Sequence, residues 1–260
     1  MPDHDYHEVH DLQIRARTVL PARREDIEFT TADGVRLVGE LALPEHGDPE
    51  ATLVTFHPLP TEGGYMDSHL YKKASYRLPA LADIAVLRFN TRGTSSPRGT
   101  SEGEFDGGEK EGYDVAAAVE FAVARNLPNR WMVGWSFGTE LILKHGTKEP
   151  AASATEGAVL LSPPVKRAQR ADLQAWAEDG RPLRVLVPEH DDFLKPPEAE
   201  EVFATCPQAR LRAVDGAKHL WVGEKYTHLV LEDIASTVLG VPAELPTRWT
   251  GPAAQEPSQL

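Results

Sequence analysis

Cysteine is almost missing from this chain: Cys206 stands alone among 260 residues. No intrachain disulfide can form, and a reducing compartment is expected. Long apolar runs are missing as well. No stretch approaches the roughly 18 consecutive apolar residues of a membrane span, and the opening MPDHDYHEVH has neither the basic nor the apolar region of a secretory signal. The expectation is a cytoplasmic protein with no membrane partner. Basic residues are scarce: 27 Lys and Arg against 40 Asp and Glu leave a formal charge of −13. Such a surface repels the phosphates of nucleic acids and anionic lipids instead of neutralising them. His4, His7 and His10 fall three apart, but acids interleave with them and no second ligand cluster accompanies them, so a solvated terminus is expected over a metal site.

What is present suits one buried core, with 41% hydrophobic residues. Residues 1–24 read as a polar N-terminal arm, residues 25–240 as the folded domain, and residues 241–260 as a proline-rich tail that runs along the surface or is disordered. Within the domain, DIEFTTADGVRLVGELALP reads as two strands joined at Ala32-Asp33-Gly34, a hairpin. Six apolar runs follow: ATLVTF, IAVLRFN, RWMVGW, GAVLLS, PLRVLVP and ARLRAV. Continuous apolar runs of this length suit strands buried on both faces. Segments with helical spacing separate them, among them EGYDVAAAVEFAVARN, FGTELILKHG, PPEAEEVFATC and EKYTHLVLEDIASTVLG. In YKKASYRLPALAD, Pro79 is expected to kink or end the helix. The alternation predicts an α/β fold whose mainly parallel sheet of eight strands is entered through an antiparallel hairpin, with helices on both faces.

The segment VGWSFGTE holds Ser136 between Gly134 and Gly138, after the apolar run ending at Trp135 and ahead of a helical run from Phe137. Five residues alone carry little weight; the strand, turn and helix around them carry more. A side chain displayed on so sharp a turn needs an unusual backbone angle and close passage of neighbouring chain, which the two glycines permit.

A serine hydroxyl becomes a nucleophile when a histidine takes its proton and an acid orients that histidine. In a sheet of this kind those partners arrive later in the chain, on loops at the carboxyl ends of strands. After PLRVLVP comes EHDDFLKP, with Asp191 preferred as the acid and Asp192 as the alternative; after ARLRAV comes DGAKHLW, with His219 as the base. His228 lies within a helical run, away from the strand ends. An oxyanion needs two preorganised N–H donors. The Phe137 amide follows the serine directly; in the loop His57-Pro58-Leu59-Pro60-Thr61-Glu62-Gly63-Gly64 the prolines have no N–H, and Leu59 is the remaining candidate closest to the strand end for the second donor. His57 is expected to hydrogen-bond within that loop and not to act as a second base.

These stretches resemble the α/β-hydrolase superfamily, more narrowly its small capless bacterial branch related to dienelactone hydrolases and short-chain carboxylesterases. The likeness runs through HPLPTEGGYMDSH, LRFNTRGTSSPRGTSEGEFDGGEKEGYD, GWSFGTE, LLSPPV, PEHDDFLKP and GAKHLW. It implies a nucleophile at Ser136, an acid at Asp191, a base at His219 and no metal or organic cofactor. Pro188 stands where a glycine is usual, SSPRGTSE lengthens one loop, and the nucleophile is not the cysteine of true dienelactone hydrolases. Only residues 163–181 separate GAVLLS from the next strand, too little chain for a cap, so small or accessible carboxylic esters are the expected substrates.

Trp135, Trp221, Tyr65 and Met66 are candidate walls of the substrate pocket, with core packing the alternative for the tryptophans. Arg92 and Arg98 are expected to pair with local acids such as Glu102 and Glu104 and not with a substrate carboxylate. An acyltransferase or peptidase would use the same three residues. A hydrolase-like binding scaffold is the alternative without turnover. The stretch 94–108 is the expected mobile border of the site.

Overall fold

In the computed structural model, residues 10–255 are described. The chain opens with β1 (His10–Gln13), then the hairpin β2 (Arg23–Thr30) and β3 (Arg36–Leu43), then β4 (Ala51–Phe56). There follow α1 (His69–Ala82), β5 (Ile84–Phe89), the two-residue strands β6 (Ser95–Ser96) and β7 (Gly99–Thr100), and α2 (Glu111–Ala124). The second half holds β8 (Arg130–Trp135), α3 (Phe137–His145), α4 (Ala151–Ala154), β9 (Gly157–Leu161), α5 (Arg170–Asp179), β10 (Leu183–His190), α6 (Pro196–Phe203), β11 (Ala209–Lys218), α7 (Glu224–Leu239) and β12 (Arg248–Gly251).

Eight strands form one sheet in the order β11-β10-β9-β8-β4-β5-β3-β2. The six from β4 onward run parallel, and β3 and β2 are antiparallel. The central strands are buried on both faces, which explains their unbroken apolar runs. Because side chains alternate along a strand, Leu53, Val86 and Val133 pack against α1 and α7, whereas Val54, Leu87 and Met132 pack against α2, α3, α5 and α6.

Three segments add to the expectations from the sequence. Helix α1 runs through Pro79 to Ala82, although an interior proline costs about 3 kcal/mol or more. Pro79 has no N–H for the carbonyl one turn earlier, that of Ser75, and the Arg24 guanidinium donates to this carbonyl at 2.8 Å, supplying the missing partner. The surface tail contains a strand: β12 pairs antiparallel with β1 of the N-terminal arm, and Gln255 bridges to Val19. His10 thus lies in a strand; His4 and His7 lie outside the described residues. The 94–108 segment is tied to the sheet: Ser101 Oγ donates to the Asn90 carbonyl and accepts from the Val38 N–H, while Glu102 N–H donates to the Arg36 carbonyl.

Among the described residues no helix is long and apolar enough to cross a membrane. No cluster of three or more metal-ligating side chains occurs among them either.

Candidate active site

The strand β8 ends at Trp135 and α3 begins at Phe137, so Ser136 is the single residue of the turn, at φ 53° and ψ −115°. A side chain at positive φ stores roughly 1–3 kcal/mol of strain. The surroundings impose it: the Ser136 N–H donates to the Leu161 carbonyl of β9 at 2.9 Å, locking the turn to the neighbouring strand. Close approach explains the flanking glycines. A Cβ on Gly138 would lie 1.9 Å from the Phe56 carbonyl oxygen of β4, and one on Gly134 would lie 2.6 Å from the Gly138 backbone. Absence of two methyl groups lets α3 start against the sheet, which leaves the Ser136 hydroxyl half-exposed above the strand ends.

Asp191 follows β10 and His219 follows β11, so the sheet order delivers both to the edge where β8 ends. His219 Nδ1 lies 2.9 Å from Asp191 Oδ2, and His219 Nε2 lies 2.8 Å from Ser136 Oγ. An ionised carboxylate only accepts, so Nδ1 carries the proton and Nε2 is left to accept from the serine O–H. Burial works against ionisation of Asp191, but the hydrogen bond from His219 and the N–H groups of Phe193 and Leu194 hold its carboxyl below the usual value. Asp192 is exposed and makes no hydrogen bond to His219. His228 sits in α7 beside Glu232.

The Phe137 N–H, at the first position of α3, is one of the donors that a helix start leaves without an internal partner. Leu59 lies just past β4; its carbonyl accepts from Glu62 and Gly64, while its own N–H meets no acceptor among the described residues. The loop that carries it is fixed from three sides. Arg88 of β5 pairs with Asp67, Asn90 Oδ1 accepts from the Met66 N–H at 3.0 Å, and His57 Nε2 accepts from the Thr91 N–H at 3.0 Å. His57 Nδ1 donates in turn to the Pro58 carbonyl at 2.7 Å. Burial pushes the His57 pKa down to about 4.

A pH dependence follows from His57. With a folded pKa of about 4 and an unfolded one near 6.5, the unfolded chain binds more protons between these values. The contribution is therefore complete above about pH 6.5 and is lost as pH falls towards 4. Between pH 7 and pH 5 this one group is expected to remove about 2 kcal/mol of stability. In His57→Gln, urea unfolding at the two pH values should give a difference smaller by about that amount; an unchanged difference would mean that His57 titrates normally.

Of the expected pocket walls, three are buried in the core. Trp221 is fully buried, Met66 likewise, and Trp135 is 2% exposed. Trp135 and Trp221 pack in the α1–α7 layer, so neither faces an open pocket. Tyr65 is half-buried beside the loop. Arg92 and Arg98 do pair with acids, but with different ones: Arg92 with Asp33 and Asp114, Arg98 with Asp26 and Glu40. Hairpin and helix residues far away in sequence supply these partners in place of the local Glu102 and Glu104.

Several contributors escaped the sequence reading. Trp135 Nε1 and Ser162 Oγ both donate to the His219 carbonyl, each at 3.1 Å, and fix the backbone behind the imidazole. Phe193 stands edge-on to the His219 ring at 4.5 Å, and Phe105 edge-on to Phe137 at 5.4 Å. Glu140, buried in the first turn of α3, accepts from the N–H groups of Lys166, Arg167 and Ala168. A glutamate just before the apolar Leu141-Ile142 was the available signal for this last role.

No family model matches the chain. An uncharacterized protein of Rickettsia prowazekii is 27% identical over 179 residues, spanning 68% of this chain and 71% of that protein. Among solved structures, an α/β serine hydrolase without a lid from Xanthomonas campestris superposes with a TM-score of 0.64 at 25% identity, covering 87% of this chain and 99% of that one. An esterase of Pyrococcus furiosus superposes at 0.67, with 17% identity and coverage of 87% and 99%.

Proposed function

We propose that this chain, which has the α/β-hydrolase fold without a lid, is a serine hydrolase that cleaves small or accessible carboxylic esters. The observation that carries this reading is the continuous contact from Asp191 through His219 to Ser136, at 2.9 and 2.8 Å, with the serine held at positive φ. The serine oxygen attacks the ester carbonyl as its proton passes to His219 Nε2, and Asp191 balances the charge on the imidazolium. The Phe137 and Leu59 N–H groups receive the oxyanion. The imidazolium then protonates the departing alcohol. Water, deprotonated by the same nitrogen, releases the acid and restores the serine.

An open site agrees with the segment after β9. Its helix α5 buries Leu173 and Trp176, and the Trp176 indole donates to the Ile142 carbonyl in the middle of α3, away from Ser136. That helix packs on the core.

A fluorophosphonate probe tests the nucleophile directly. One label per chain is expected on Ser136, with none on Ser136→Ala, together with turnover of p-nitrophenyl acetate by the unlabelled protein only. A folded protein that neither labels nor turns over an ester would be a binding scaffold, and the proposal would fall.

A further inference from the structure

We infer that the cavity between α1, α7 and the paired segments at the two ends of the described chain is a binding site for a short aliphatic carboxylate, separate from the catalytic residues and independent of the hydrolase reading.

The terminal segments build this cavity. Strand β1 and the chain leading into β12 are tied together and to α7: the Ile14 N–H and the Gln13 side-chain amide donate to the Thr247 carbonyl at 2.9 and 3.1 Å, and the Leu245 N–H donates to the Glu232 carboxylate at 3.2 Å. Between this strap and the two helices lies a space of about 260 Å³. Its apolar walls are Ile14, Leu245 and Pro246 of the strap, Leu81 of α1 and Leu231 of α7. Clefts for drug-sized ligands start at about 300 Å³, so this one fits a smaller molecule, with a chain of about six carbon atoms. Ser136, Asp191 and His219 are not among its walls.

Arg77 of α1 lines the same cavity and is only 3% exposed. Its Nη2 donates to the Arg15 carbonyl at 2.9 Å and to Glu224 Oε2 at 2.8 Å, whereas Nη1 and Nε meet no acceptor among the described residues. A buried donor without an acceptor keeps the cost of its desolvation. A carboxylate in the cavity supplies the acceptor, and it matches a guanidinium in both charge and shape.

The balance of charge favours the same ligand. Glu224 is shared by Arg77 and Lys73, so one carboxylate answers two cations. Lys225, a further wall, rests on the Tyr226 ring and takes part in no ion pair among the described residues. Glu232 is engaged by His228 and by the Leu245 N–H. An apolar space bordered by excess positive charge selects an amphipathic anion. A plain hydrocarbon would leave the Arg77 donors unanswered, and an inorganic anion would leave the leucine walls uncovered.

Calorimetric titration with hexanoate, and with hexanamide, which keeps the chain and removes the charge, tests the inference in wild type, Arg77→Met and Leu81→Trp. Thermal melting verifies folding. Leu81 is half-buried, so the larger ring fills the cavity while Arg77 keeps its partners. Wild type is expected to bind hexanoate with a Kd of about 1 mM or tighter, and hexanamide about tenfold more weakly. Arg77→Met should weaken hexanoate about tenfold and erase its advantage over the amide, and Leu81→Trp should abolish binding of both. Should Arg77→Met fail to fold, Leu81→Trp and the comparison of acid with amide decide alone. Hexanoate bound as tightly by either folded variant as by wild type would lie elsewhere, the catalytic cleft included, and would overturn the inference. Equal wild-type affinity for acid and amide, or no binding of hexanoate up to about 10 mM, would overturn it as well.

Discussion

Replacing Asp191 with asparagine is expected to lower kcat for p-nitrophenyl acetate about ten-thousand-fold in a protein that still folds. The reason is directional. Asp191 Oδ1 accepts from the Phe193 and Leu194 N–H groups, and Oδ2 accepts from His219. An asparagine side chain has one oxygen and one NH2, and two backbone donors require the oxygen on their side. The NH2 is then turned toward His219 Nδ1, which must give up its proton to accept. The remaining ring proton moves to Nε2, where it faces the Ser136 hydroxyl and blocks the very transfer the serine needs. Labelling by a fluorophosphonate should slow in parallel, because it draws on the same base. Asp192→Asn is the control: that side chain is exposed, and its kcat should stay within about twofold of wild type. Equal losses in the two variants would show that the orienting acid had been misassigned.

The alternation of apolar runs and helical segments made the sheet readable, because a strand buried on both faces leaves an unbroken apolar signature. The elbow was readable too, since two tight approaches of backbone to backbone admit only glycine and place it at fixed positions around the serine. Chain order brought Asp191 and His219 into view because strand ends gather on one edge of a parallel sheet. Side chains that turn inward after a loop carry no such mark. Trp135 adjoins Ser136 and Trp221 lies two residues past His219, yet both are buried in the α1–α7 layer, as an alternating strand and a left-handed residue dictate: Trp221 has φ 51°. The tolerance of α1 for Pro79 was hidden because the rescuing group, Arg24, lies 51 positions from Ser75. Long-range pairing of this sort, like that of Arg98 with Glu40, is a property of the folded sheet and leaves no local pattern.

Adding one methyl group at position 138 should have the largest effect on stability. In Gly138→Ala the new Cβ would sit 1.9 Å from the Phe56 carbonyl oxygen and 2.5 Å from its carbon. Both are backbone atoms of β4, a strand hydrogen-bonded on either side to β5 and β8, so no rotamer change can relieve the clash. The helix α3 must move off the sheet instead. That movement separates Leu141 and Ile142 from the core they fill and opens space around Phe137. Overpacking alone costs about 1–3 kcal/mol, and loss of burial along the displaced helix adds to it, so a total near 3–5 kcal/mol is expected from urea unfolding. Activity should fall beyond what the unfolded fraction explains, since the Phe137 N–H travels with the helix while Leu59 stays with β4. In the proposed mechanism the oxyanion lies between these two N–H groups, so a shift of one against the other lowers kcat. A Gly138→Ala protein with unchanged urea midpoint and unchanged kcat would show that α3 can ride further from the sheet, and that its contact with β4 does not set the geometry of the site.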